Sequence, residues 1–130
     1  MLAVVAGLIE REGCFLVGRR PAGSWMEEYW ESPGGKLEEG ETPRDALLRE
    51  LHEELGVEVE VGTIEEAVSY SYPDKQVLIL FYRCQILSGQ PREQIGQSLQ
   101  WVKPREMKNL LFLPADRPLI EHLVLCGDTE

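Results

Sequence analysis

The chain has 130 residues, 43% hydrophobic and 28% charged, with 13 Lys and Arg against 23 Asp and Glu for a formal net charge of −10. That length supports one domain over residues 1–130, and the acidic balance argues against a nucleic-acid polymer partner, which needs a basic stripe to displace counterions. No apolar run is long enough to span a membrane, and Cys14, Cys84 and Cys126 form no CxxC pair and leave an odd one out, which predicts a reduced, cytoplasmic protein without a disulfide framework or zinc site.

Met1–Ile9 is apolar, has no basic stretch and runs straight into charged residues, so it reads as a first strand rather than a signal peptide. Residues 3–9 and 14–20 are predicted strands, joined by a hairpin at Glu10–Gly13. Residues 34–41 are a glycine-led loop, and 42–55 a helix. Residues 57–61 and 67–72 have strand composition. Pro73-Asp74 turns the chain into 76–87, the most hydrophobic strand. Gly89-Gln90-Pro91 opens a polar loop to Gly96. A last strand at 99–102, a helical turn at 104–107 and a helix at 116–126 with Pro118 in its first turn complete the chain. The pattern predicts an α/β fold with helices packed on a mixed sheet.

The helix at 42–55 carries the chemistry. Thr42 can cap it, Pro43 fits its first position, Asp45 completes a capping-box-like start, and Gly56 ends it. At about 100° per residue, Leu47, Leu48, Leu51 and Leu55 share one face. Glu50, Glu53 and Glu54 fall on another, where their carboxylates can converge, and Arg49 stands one turn before Glu53. An ordinary helix would simply solvate such a face. Here like charges one turn apart cost helix stability, and a Gly34-Gly35 loop directly precedes the helix. A hard cation would relieve the repulsion. Oxygen ligands without a nearby Cys or His favour Mg²⁺, with Mn²⁺ as the alternative, over Zn²⁺. A chain this acidic would bind an anionic ligand only with local arginines and lysines or bound cations to cancel the repulsion.

Gly35-Lys-Leu-Glu-Glu-Gly-Glu41 followed by Arg49-Glu-Leu-His-Glu-Glu-Leu-Gly-Val57 resembles the Nudix box, the signature of hydrolases that cleave nucleoside diphosphates linked to another group. Arg19-Arg20-Pro21, Trp30-Glu-Ser-Pro-Gly-Gly35, Tyr72-Pro-Asp74 and Leu113–Ile120 are similar to the MutT-like subgroup. The resemblance implies the Nudix fold, a mixed β-sheet packed between helices in an α/β/α sandwich. It implies metal ligation by Glu50, Glu53, Glu54 and the Gly34 carbonyl. Arg49 would orient a glutamate, Glu41 would brace the box, and Glu53 would serve as general base. Gly35 and Gly56 would be structural, and Arg20 would contact phosphate or substrate. Water would attack a phosphorus of the anhydride, turning a nucleoside triphosphate into the monophosphate and pyrophosphate. The expected substrate is 8-oxo-dGTP, with (d)CTP or 5-methyl-dCTP as the alternative. Less favoured are ADP-ribose, a dinucleoside polyphosphate, a coenzyme, or nucleotide binding without catalysis. A monomer and a homodimer are both compatible with the chain.

Three positions depart from the MutT pattern. The loop metal ligand expected six residues before Trp101 falls on Ile95, with Glu93 nearby. Ser32 replaces an aromatic that precedes Pro-Gly-Gly in some members and lines the base pocket. Asp116 replaces the asparagine that reads 8-oxoguanine. Asparagine offers a donor and an acceptor, whereas an ionised aspartate only accepts, which suits an exocyclic amine of cytosine or adenine. A buried, protonated Asp116 would regain the donor. Asp116 can also simply cap the last helix. His52 and His122 read as solvated polar residues. Trp25, Trp30 and Trp101 read as core or pocket-rim residues, and Tyr72 and Phe81 as packing residues.

Overall fold

The computed structural model describes residues 1–94 and 96–128, the last three without their side chains. β1 (Leu2–Arg11) and β2 (Cys14–Arg19) form the expected hairpin. Its turn residues, Glu12 and Gly13, both have positive φ, 54° and 78°, as a turn matched to strand twist requires. β3 (Trp30–Glu31) and β4 (Gly34–Lys36) follow, then α1 (Pro43–Leu55), β5 (Glu58–Tyr72), β6 (Lys75–Ser88), β7 (Ser98–Val102) and α2 (Pro104–Met107). A 3₁₀ turn at Pro114–Asp116 leads into α3 (Arg117–Asp128).

The strands run in the order β3-β2-β1-β6-β5, with β4 pairing β1 and β7 pairing β2. β1 and β6 are parallel, and the other pairs are antiparallel, so the sheet is mixed. Alternation along the central strands builds two cores. Ala6 and Leu8 of β1, with Val77, Ile79 and Phe81 of β6, pack toward α2 and α3. Val5 and Ile9 of β1, with Cys84 of β6, pack toward α1. Helices therefore cover both faces of the sheet. Among the described residues no helix is long and apolar enough to cross a membrane.

α1 starts and ends where its caps place it. The Thr42 hydroxyl accepts the Asp45 N–H at 3.2 Å. Gly56 takes a left-handed φ of 72° and returns its N–H to the His52 carbonyl. Ala46, Leu47, Leu51 and Leu55 are buried, whereas Leu48 is 37% exposed. The buried stripe is thus displaced toward Ala46 from the face expected. Leu48 lies at the edge of the stripe, about 100° round the helix from Leu47, while Ala46, on the opposite flank of Leu47, is fully buried. Burying each leucine contributes about 1.5–3 kcal/mol.

Other boundaries differ as well. The expected strands at 57–61 and 67–72 are one strand, β5, which continues through register shifts between Val61 and Ile64 and between Ile64 and Glu66. A bulge absorbs extra residues without ending the pairing. The loop expected at 34–41 opens as strand β4. The two-residue β3 has too short a pattern to be read from sequence. The last helix starts one residue later than expected, because 114–116 forms the 3₁₀ turn.

Candidate active site

The glycines hold the loop against the sheet and the helix. Gly34 pairs with Ala6, and a Cβ there would collide with the Val5 carbonyl. A Cβ on Gly35 would fall on the Glu50 carboxylate. A side chain at Gly34 would push the loop off β1, and one at Gly35 would push it off α1.

Arg49 is the hub of this unit. Its Nε and Nη2 donate to the two Glu41 oxygens at 2.8 and 2.9 Å, and Nη2 also reaches the Lys36 carbonyl at 3.1 Å. Nη1 donates to Glu50 at 2.9 Å and to Glu53 at 3.3 Å. The two-point bond is the strong geometry for a guanidinium and a carboxylate, and it holds the Glu41 carboxyl below its usual range. One arginine thus ties the loop before α1 to two glutamates on it.

A cavity of about 300 Å³ opens beside this unit, lined among others by Arg20, Glu31, Ser32, Gly34, Glu54 and Asp116. Burial, reinforced by the Glu50 and Glu31 charges, pushes Glu54 up to about 8. Burial also raises Glu31, against the pull of Arg20, whose Nη1 donates to it at 2.9 Å. Asp116 is 3% exposed and accepts the Ser32 N–H at 3.1 Å. Burial pushes its carboxyl up to about 8, so it carries its proton at neutral pH. A larger groove of about 550 Å³, lined by Met107, Leu110, Phe112 and Val124 among others, is mostly apolar and lacks a comparable carboxylate cluster.

The sequence-predicted residues divide. Arg20, Gly34, Gly35, Glu54 and Asp116 line one cavity. Glu50 sits behind Gly35, held by Arg49. Glu53 is turned outward, its side chain 58% exposed, and leans on Arg49. Among the described residues no three His, Cys, Asp or Glu side chains are gathered tightly as they stand. The expected convergence is therefore incomplete: Arg49 draws Glu53 aside, and like charges keep apart. The donor set still fits a hard divalent cation. It is all oxygen, and Glu54 and Glu31 sit where ionisation is costly unless positive charge is supplied.

Glu93 spends its carboxylate on the start of β7, accepting the Leu99 N–H at 2.8 Å, while Ile95 lies outside the described residues. The same loop caps α1: the Arg92 N–H donates to the Leu55 carbonyl at 3.0 Å and the Gln94 amide to the Glu54 carbonyl at 2.6 Å. Sequence reasoning missed Glu31 and Lys75 as cavity residues. A carboxylate beside Trp30 and before Ser32-Pro33, where the chain turns buried, was the available signal for Glu31.

The comparisons agree with this geometry. The NUDIX domain family matches residues 4–122. The CTP pyrophosphohydrolase of Escherichia coli is 37% identical over 121 residues, 93% of this chain and 90% of that protein. The 8-oxo-dGTP diphosphatase of Escherichia coli is 33% identical over 123 residues, 94% of this chain and 95% of that protein. The solution structure of the E. coli ORF135 protein superposes with a TM-score of 0.82 at 35% identity, covering 97% of this chain and 89% of that one. The MutT protein of Methanosarcina mazei reaches a TM-score of 0.84 at 24% identity, over 94% and 91% of the two chains, a likeness of fold. Box, cavity and relatives lead to one conclusion: the chain belongs to the Nudix hydrolase family, enzymes that cleave phosphorus anhydrides.

Proposed function

We propose that this protein is a Mg²⁺-dependent nucleoside triphosphate pyrophosphohydrolase that releases a nucleoside monophosphate and pyrophosphate, with 8-oxo-dGTP as its preferred substrate. One observation carries the reading. A single cavity is lined both by the glycine loop with Glu54 and by the buried Asp116, whose carboxyl burial pushes upward. A polyphosphate and a base can occupy it together.

Glu50, Glu53, Glu54 and the Gly34 carbonyl would hold Mg²⁺, or Mn²⁺ in its place. The bound cation would neutralise anhydride oxygens and favour attack by water. Arg49 keeps Glu50 and Glu53 in register through its hydrogen bonds to both. Glu53, the most open of the three, has access to solvent and is assigned as the base that takes the proton of the attacking water. Arg20, with Lys36 and Lys75 on the cavity wall, supplies positive charge toward phosphate in a chain that is otherwise strongly acidic. Gly35, Glu41 and Gly56 maintain the loop and helix ends. Residues 1–130 are assigned as one domain of a cytoplasmic protein, monomeric or homodimeric.

At neutral pH Asp116 offers an O–H donor and an oxygen acceptor. This matches O6 and N7–H of 8-oxoguanine. It mismatches guanine, whose O6 and N7 both accept. An ionised Asp116 would offer acceptors alone, and its burial works against that state. The same neutral carboxyl also matches N3 and the N4 amine of cytosine. That match and the CTP pyrophosphohydrolase relative keep a (d)CTP or 5-methyl-dCTP activity as the second reading.

Pyrophosphate release with Mg²⁺ from 8-oxo-dGTP, dGTP, CTP, dCTP and 5-methyl-dCTP tests the proposal. The first substrate should lead. Leadership by a cytosine nucleotide would select the second reading, and no pyrophosphate from any of them would defeat both.

A further inference from the structure

The segment between β2 and β3 places an open aromatic ring on the cavity wall. Trp25 lines the cavity and is 39% exposed. A large indole left half open to water forgoes burial that a core position would give it, so its retention there calls for a reason. Its position is closely determined. The ring meets Tyr72 edge-on, with centroids 5.0 Å apart and planes at 84°. The Lys75 ammonium lies 3.8 Å from its centroid. Its carbonyl accepts the Arg20 Nε–H at 2.6 Å, while Nη1 of the same guanidinium donates to Glu31 at 2.9 Å. The backbone beyond it is strained, with Met26 and Glu28 at φ 55° and 70°, a conformation rare for residues other than glycine.

Tyr72 is committed elsewhere. Its hydroxyl accepts the Ala115 N–H at 3.1 Å, and its ring also packs on Tyr70 at 4.7 Å. Ser32, 7% exposed, has no ring to offer. Trp25 is therefore the least committed aromatic ring on the cavity wall, met edge-on by Tyr72, with the Lys75 ammonium over its ring and the Arg20 guanidinium 5.7 Å from its centroid.

We propose that Trp25 is the stacking wall for the base, positioned so that a base whose edge meets Asp116 lies against the indole. The proposal rests on the cavity being a nucleoside triphosphate site, as argued above. Every base has a π face, so stacking on Trp25 raises affinity with little regard to base identity, while Asp116 sets the choice.

Trp25→Ala and Trp25→Phe test it, with Mg²⁺ present. Trp25→Ala should raise KM for 8-oxo-dGTP between about fivefold and a hundredfold, the span of one base–aromatic stack. Trp25→Phe should recover much of that loss, and kcat should stay within about threefold in both. KM for dGTP should rise by a similar factor. Inhibition by inorganic tripolyphosphate, which has no base, should be the same in wild type and Trp25→Ala. Unchanged KM, or an equal loss of tripolyphosphate binding, would overturn the assignment. A second readout needs no turnover: 8-oxo-dGMP should quench the wild-type tryptophan fluorescence, and Trp25→Phe should abolish that quenching. No quenching in wild type overturns the stacking wall by itself. Quenching without pyrophosphate release from any nucleotide would instead overturn the proposed reaction and leave Trp25 as a base-binding residue.

Discussion

The proposed phosphate end and the proposed base end of the cavity are built in opposite ways. The first comes mainly from one stretch, Gly34 to Gly56, in which Arg49 bonds Glu41, Glu50, Glu53 and the Lys36 carbonyl, with Arg20 and Lys75 added from outside it. The second is assembled from Trp25, Ser32, Tyr72 and Asp116, and the hydrogen bond between Ser32 and Asp116 joins positions 84 residues apart. Phosphates present the same charges in every nucleotide, so a local unit suffices for them. A base must be met by groups of chosen polarity, and those are brought together only by the fold. Changes at the phosphate end should therefore alter rate for all substrates, and changes at the base end should alter choice among them.

The largest expected break is at the phosphate end. Glu53→Gln should lower kcat by about 10²- to 10⁴-fold, the usual contribution of a general base, and lower it equally for 8-oxo-dGTP and dGTP. Steady-state kinetics on both substrates would show it, and near-normal turnover would remove Glu53 from the role. Gly35→Ala places a methyl on the Glu50 carboxylate, and a misplacement of that kind costs about 10²-fold in rate, again without regard to base.

Smaller effects belong to the base end. Asp116→Ala should cost about 1–3 kcal/mol of discrimination, roughly five- to a hundredfold in the kcat/KM ratio of 8-oxo-dGTP over dGTP, with kcat largely retained. The mildest effect is on stability. Asp116 ionises near pH 4 in an unfolded chain and near 8 in the fold. Between those values the unfolded chain gives up a proton that the fold keeps. The stability from this group is full below about pH 4 and is lost as pH rises toward 8. Glu54, also pushed up to about 8, has the same sign, so the difference between wild type and Asp116→Asn isolates Asp116. Urea melts from pH 5 to 8 should fall less steeply for Asp116→Asn, by up to about 1.4 kcal/mol per pH unit. Parallel slopes would show that Asp116 is ionised in the fold.

The same contrast explains what could be read from the sequence. α1 was legible nearly to the residue, because Thr42, Pro43 and Gly56 act through local geometry. The box residues were legible because their spacing is contiguous. Asp116 could be singled out, but its protonation depends on burial, which the fold supplies. Trp25 could be read only as a core or pocket-rim residue, and Glu31 carried too little local pattern, since each gains its place from neighbours such as Arg20, Tyr72 and Lys75. The union of two expected strands into β5 depended on partner residues in β6 that tolerate the register shifts. The outward turn of Glu53 reflects competition for Arg49, which helical periodicity does not register.

The most direct test of the account is the ratio of kcat/KM for 8-oxo-dGTP over dGTP at pH 7 with Mg²⁺, read as pyrophosphate release from the wild-type protein. A neutral Asp116 beside a competent phosphate end predicts a ratio of at least about fivefold, since one mismatched hydrogen-bonding edge costs about 1–3 kcal/mol. A ratio near one, or a preference for dGTP, would contradict the claim that Asp116 reads the base as a donor and acceptor.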